Sequence, residues 1–190
     1  MRPALAGIFV GGAGARMGGI AKGLLRTEDG VGIVERLRGV LERLGLPVVL
    51  VGARREYEGL GIEVVADEPS GIGPLGGLLA LLRRAHDAPA LALACDMPFV
   101  SGALVERLLE ASNDAPIVAP RRDGRWEPLC ARYEPARVVP IARALASTRE
   151  HSMQRLLRDC GAVELCLRPD EAGQLRDWDT PGDLVDREAR

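Results

Sequence analysis

The residues from Leu5 to Val10 form an unbroken apolar run that ends in Gly11-Gly12-Ala13-Gly14-Ala15-Arg16-Met17-Gly18-Gly19-Ile20-Ala21-Lys22. A short apolar run bounded by glycine reads as a strand covered on both faces. A strand that empties into glycines can wrap backbone N–H groups around phosphate, because glycine permits close approach and positive φ. Arg16 and Lys22 then supply positive charge for that phosphate. Spacing excludes two better-known phosphate loops. The dinucleotide fingerprint needs glycine where Met17 stands; the P-loop needs glycine before Lys22 and Ser or Thr after it, where Ala21 and Gly23 stand. A nucleotide is the first ligand to consider.

The rest of the chain repeats the same grammar. Short apolar runs predict strands over 5–10, 47–51, 62–65, 90–94, 117–119 and 162–167. Between them, helical periodicity predicts helices over 33–44, 75–84, 102–111, 136–146 and 152–160. In the first of these, Ile33, Val34, Leu37, Val40, Leu41 and Leu44 share one face. Ser101 is placed to cap the third. The stretch 119–133 breaks the alternation and reads as a hairpin, with a turn at Arg122-Asp123-Gly124 and a return strand through Trp126 to Tyr133. Such alternation predicts an α/β fold: three layers, a mostly parallel central sheet and helices on both faces, in a single domain over 1–190.

Composition narrows the function classes. A net charge of −2 argues against a general nucleic-acid binder, and 3% aromatic residues leave little for base stacking. Cys95, Cys130, Cys160 and Cys166 form no CxxC pair, and two histidines are too few for a structural zinc site. Neither a secretory leader nor an apolar run of membrane-spanning length is visible, so a reduced, cytoplasmic location is expected.

In parallel sheets, ligands bind beyond the carboxyl ends of the strands. That rule selects three places. The first is the glycine loop. The second is Asp96, delivered by an apolar strand in Ala94-Cys95-Asp96-Met97-Pro98, where an α/β enzyme can hold Mg²⁺ with one carboxylate plus phosphate oxygens; the alternative is a turn-capping aspartate. The third is Asp67-Glu68-Pro69-Ser70-Gly71-Ile72-Gly73-Pro74-Leu75-Gly76-Gly77. Here Asp67 could accept hydrogen bonds from a guanine edge or a ribose, and glycines at a helix start let a flat base lie against the backbone; the alternative is a long turn with Pro74 opening the helix. Asp177-Trp178-Asp179-Thr180-Pro181 either caps a C-terminal helix or returns Asp177 or Asp179 as a second metal carboxylate. Trp126-Glu127-Pro128-Leu129 is either the wall of an acceptor pocket or a strand edge. His86 and His151 have no motif that would make them catalytic.

The segments GGAGARMGGIAKGLL, DEPSGIGPLGG, CDMPFV, WEPLCARY and DTPGDL follow one another across nearly the whole chain, and in this the sequence resembles the molybdenum cofactor guanylyltransferases of the nucleotidyltransferase superfamily. The resemblance implies a Rossmann-like fold and Mg²⁺-dependent transfer of GMP from GTP to molybdopterin, with release of pyrophosphate. It implies that Phe9, Val10 and Gly11 line the nucleotide through their backbone, that Lys22 contacts phosphate, that Asp67 contacts the nucleotide and that Asp96 binds Mg²⁺; the reading of the residues themselves adds Gly12, Gly14 and Gly76 to the nucleotide site, makes Arg16, Lys22 and Asp96 the catalytic groups and offers Asp179 as a second metal carboxylate. GTP and the molybdopterin acceptor are the implied partners, with cofactor-delivery proteins or target molybdoenzymes as further ones; nucleic acid and membrane are not. Three departures are specific, the first being that the loop Glu28–Ile33 lacks the Lys-Pro often found after the phosphate loop. Val51 stands where some members place an Asn near the base, and Asp177-Trp178-Asp179 replaces the Asn-x-Asn of many members. A cytidylyltransferase acting on the same cofactor, a nucleotidyltransferase with another phosphorylated acceptor and a non-catalytic nucleotide-binding protein stay open as alternatives.

Overall fold

The computed structural model describes residues 3–11, 21–27, 29–52, 55–111 and 114–176. Strand β1 (Leu5–Phe9) lies near the middle of the sheet, buried along its whole length. It pairs in parallel with β2 (Val48–Val51) on one side and with β4 (Ala90–Ala94) on the other, and β2 pairs in parallel with β3 (Glu63–Val65). Beyond β4 the direction reverses. Strand β8 (Cys130–Tyr133) runs antiparallel to both β4 and β5 (Ile117–Ala119), and β9 (Val163–Glu164) closes the far edge parallel to β5. The order is β3-β2-β1-β4-β8-β5-β9.

Helices cover both faces because successive strand residues point to opposite sides. Ala6, Ile8, Leu91 and Leu93 face helix α1 (Ile33–Arg43) and helix α3 (Gly102–Glu110). Leu5, Phe9, Ala90 and Ala92 face helices α2 (Pro74–Ala85), α4 (Pro135–Ala146) and α5 (Met153–Asp159). Each fully buried leucine in these layers stabilises the fold by about 1.5–3 kcal/mol. Gly7 shows how tightly α2 sits: a Cβ there would lie 2.7 Å from Leu81 and 2.9 Å from Val51. Caps follow the local sequence. The Ser101 hydroxyl accepts from the Leu104 N–H at 3.2 Å, and Glu35 reaches back to the Gly32 N–H at 3.2 Å to open α1.

Two expectations need correcting. The hairpin over 119–133 has its turn where expected, with Asp123 and Gly124 both at positive φ. Its strands, however, are only β6 (Arg121–Arg122) and β7 (Arg125–Trp126), and the return strand breaks at Glu127-Pro128-Leu129. Pro128 has no N–H to give a ladder, so pairing resumes only at Cys130, where β8 has entered the main sheet. The final strand is also shorter than 162–167. After the Leu165 N–H reaches the Ala119 carbonyl, the Cys166 carbonyl turns to accept from the Arg107 guanidinium.

Candidate active site

The carboxyl ends of β1, β2, β3 and β4 end level with one another, and backbone hydrogen bonds continue past them. The Val10 N–H donates to the Val51 carbonyl, the Gly52 N–H to the Val65 carbonyl and the Cys95 N–H to the Phe9 carbonyl, at 2.9, 2.9 and 3.1 Å. Phe9 and Val10 are buried; Gly11 is the exposed member of the three. Its backbone abuts Gly52, at φ 102°, where a Cβ would lie 2.8 Å from Gly11 Cα. Only glycine fits there, so the floor of this edge is bare main chain. Gly12, Gly14 and Arg16 lie outside the described residues.

Lys22 opens a 3-10 turn, Lys22–Leu24, that is tied down beside the end of β4. A Cβ on Gly23 would meet Val34 at 2.5 Å, the Tyr57 hydroxyl at 3.0 Å and Cys95 Cβ at 3.2 Å. The buried Tyr57 hydroxyl accepts from the Gly23 N–H at 3.1 Å. This seating brings Lys22 Nζ to 3.6 Å from Asp96 Oδ2, with the two side chains 21% and 25% exposed. Arg36 on α1 braces the same region: Nε donates to the Pro98 carbonyl at 3.1 Å, and Nη1 meets Asp29 at 2.8 Å. Sequence reading missed Tyr57 and Arg36. The one available signal was that Tyr57 is one of just two tyrosines.

On the β3 side, Asp67 faces the start of α2. A Cβ on Gly77 would lie 3.0 Å from Asp67 Oδ1 and 3.0 Å from the Phe9 ring; one on Gly76 would lie 2.2 Å from the Pro69 carbonyl oxygen. The glycines expected to admit a flat base therefore let the 67–73 loop fold onto the helix. Burial pushes the Asp67 carboxyl above its ordinary pKa. Val51 is fully buried in the core layer beneath.

On the other side, the strand break brings Leu129 to the end of β4, where its carbonyl accepts from the Ala94 N–H at 2.8 Å. Arg122 Nε pairs with Glu127 at 2.7 Å, and Arg122 Nη1 donates to the Leu175 carbonyl at 2.6 Å. The segment leading to the acidic motif is docked at two further points. Gln174 Oε1 accepts from the Ser101 N–H at 3.0 Å, and the buried Glu171 carboxylate pairs with Arg107. Burial alone would raise the Glu171 pKa; hydrogen bonds from Arg107 and the Arg168 N–H outweigh it and hold the pKa below the ordinary value. Asp177 and Asp179 lie outside the described residues.

The arrangement is a glycine floor, a cation and a carboxylate at the centre, and a partly desolvated aspartate to one side. It can neutralise a polyphosphate, with the β6–β7 hairpin on the side away from Asp67. Cys95, beside Asp96, is not poised as a nucleophile: burial pushes its thiol up to about 12, and the same holds for Cys130. Among the described residues no helix is long and apolar enough to cross a membrane.

The MobA-like NTP transferase domain matches residues 6–165. A molybdenum cofactor guanylyltransferase of Pseudomonas putida is 33% identical over 186 residues, covering 94% of each chain. Among solved structures, molybdopterin-guanine dinucleotide biosynthesis protein A from Archaeoglobus fulgidus superposes with a TM-score of 0.77 at 24% identity over 95% of both chains. The 2-C-methyl-D-erythritol 4-phosphate cytidylyltransferase of Thermus thermophilus shares the fold at a TM-score of 0.68 and 18% identity, over 97% of this chain and 96% of that one. With the glycine floor, the Lys22–Asp96 pair and a family match spanning most of its length, the chain belongs to the MobA-like NTP transferases.

Proposed function

We propose that this protein transfers GMP from GTP to molybdopterin in the molybdenum cofactor, forming the guanine dinucleotide cofactor and releasing pyrophosphate. The observation that carries the reading is the Lys22–Asp96 pair at the shared carboxyl edge, with the Gly11 backbone between it and Asp67. The Pseudomonas putida relative, similar over nearly its whole length, supports guanylyl transfer in particular.

The chemistry needs little from the protein beyond placement. An oxygen of the acceptor's terminal phosphate attacks the α-phosphorus of GTP in line; the bond to the bridging oxygen breaks and pyrophosphate departs with that electron pair. The attacking oxygen is already ionised, so no strong base is required, and catalysis is positioning plus charge neutralisation. Lys22 and Arg16 neutralise charge on the α-phosphate and the departing pyrophosphate. Gly11, Gly12 and Gly14 offer main-chain donors to the phosphates. Asp67 accepts hydrogen bonds from the nucleoside, alongside the helix start at Gly76.

The donor set suits Mg²⁺. Asp96 is a partly exposed strand-end carboxylate, and among the described residues no group of three or more His, Cys, Asp or Glu forms an all-protein cage. Magnesium takes one or two carboxylates and completes its shell with phosphate and water. Asp96, with Asp179 as a second carboxylate, would hold the ion. When bound it supplies charge neutralisation at the phosphates.

The test is pyrophosphate release by the purified chain from each nucleoside triphosphate, with molybdopterin as acceptor, with and without Mg²⁺. Release that is selective for GTP, dependent on acceptor and abolished by chelation is expected. Preference for CTP would make the chain a cytidylyltransferase; GTP binding without release would make it a binding protein.

A further inference from the structure

The ligand edge has two sides. Asp67 follows β3 at one end, and Lys22 and Asp96 stand at the centre by β1 and β4. The β6–β7 hairpin projects from the same edge on the other side, because β8 is antiparallel to β4 and begins where β4 ends. Two substrates must meet at one phosphorus. With the nucleoside on the Asp67 side, the acceptor approaches from the hairpin side.

The hairpin has only two residues in each strand, too few to hold its own shape in water. It is held from outside. The Trp126 N–H donates to Gln154 Oε1 at 3.0 Å, and Gln154 Nε2 donates to the Trp126 carbonyl at 2.7 Å. One side-chain amide from α5 thus satisfies both backbone groups of Trp126, as a neighbouring strand would. The Arg121 guanidinium lies 3.9 Å from the Trp126 ring centroid and 3.6 Å from Glu164. Arg121 and Arg122 are held by Glu164 and Glu127, so the hairpin presents ordered guanidinium groups that an anionic acceptor can share.

We propose that Gln154 is a positioning residue for the acceptor: by pairing both backbone groups of Trp126 it fixes the β6–β7 hairpin as the wall against which the phosphorylated acceptor docks. The proposal rests on the nucleotidyl-transfer reading above. Gln154 touches neither substrate and acts through Trp126.

The experiment compares Gln154→Glu and Gln154→Leu in the full chain, with GTP and molybdopterin varied separately. Gln154→Glu is nearly isosteric and keeps the acceptor for the Trp126 N–H but loses the donor to its carbonyl; Gln154→Leu loses both. A one-ångström displacement can cost a hundredfold, so kcat/KM for the acceptor is expected to fall about ten- to a hundredfold, more in Leu than in Glu. The KM for GTP and the thermal stabilisation by GTP are expected to stay within about twofold of the parent. A purely structural role would move both substrates together. Equal losses for GTP and acceptor, or an unchanged acceptor KM in either folded variant, overturns the proposal. If Gln154→Leu does not fold, Gln154→Glu decides alone. Failure of this proposal leaves parent turnover intact. Failure of the underlying reading shows in the parent chain itself, as no pyrophosphate released, and removes both.

Discussion

Lys22 Nζ stands 3.6 Å from Asp96 Oδ2, although the two residues belong to the first and fourth strand–loop junctions of the sheet. The gap is longer than a contact hydrogen bond, and both side chains keep about a quarter of their surface in solvent. At this separation, with water still reaching both groups, the half-buried pair contributes about 1 kcal/mol or less to folding. On the proposed function, its use is the pairing of opposite charges at a site for phosphate. Lys22→Ala and Asp96→Ala are therefore expected to lower kcat by at least about 10²-fold while circular dichroism and melting temperature stay near the parent's. Unchanged product formation in either purified variant would falsify the catalytic assignment.

Tyr57 gives a second expectation. Its hydroxyl is the acceptor for the buried Gly23 N–H, next to Lys22. Tyr57→Phe keeps the ring and orphans that donor, at a cost of about 1–3 kcal/mol. At about 2–4 °C per kcal/mol for a chain of this size, the loss is visible in a thermal scan. Loosening the Lys22 turn is also expected to lower kcat. A variant with parental melting temperature and kcat would show that the hydroxyl does nothing for either.

Asp67 carries a pH signature. Burial raises its pKa in the folded chain above the ordinary carboxyl value of 3.8. The sign follows directly: the folded state binds this proton more readily than the unfolded state, so the group favours folding at low pH and disfavours it once ionised. Asp67→Asn is expected to melt at or above the parent at neutral pH, yet to bind GTP more weakly. In the parent, GTP affinity is expected to fall as pH is lowered through a midpoint above 3.8, and this step is expected to vanish in Asp67→Asn. Calorimetric titration across that range checks both; a step that survives in Asp67→Asn belongs to another group.

The thiols separate by burial. Cys95 is pushed up to about 12 by desolvation first and the Asp96 charge second, and Cys130 reaches about 12 by burial. Cys166 is exposed. Native labelling with a thiol reagent is expected to show one fast phase that disappears in Cys166→Ser, with Cys95 and Cys130 reacting only on unfolding. Fast labelling of Cys95 would mean that the Lys22 turn opens readily in solution.

Much of the fold could be read along the chain. The apolar runs at β1, β2, β4 and β5, the helical stripe of α1, the Ser101 cap and the Asp123-Gly124 turn all rest on interactions within a few residues, which spacing records. The strand-end rule also put Gly11, Lys22, Asp67 and Asp96 on one edge, and the structure brings these four there. Spacing carries no information about the partner across a packed layer. That Gly23 is answered by Tyr57, that Pro98 is held by Arg36, and that the outer edge of Trp126 is met by Gln154 rather than by a further strand depends on how distant elements lie on one another.

The alternation of strands and helices, readable in the order of residues alone, determined an α/β sheet, and the glycine loop marked the edge where a ligand is expected. The tertiary structure decided the insertion of β8 between β4 and β5, the break at Pro128 and the seating of Lys22 against Asp96. The physical reason is the same in each case. Local propensity sets which residues form an element, but the direction in which a strand joins the sheet is settled by which arrangement pairs its backbone groups and buries both its faces.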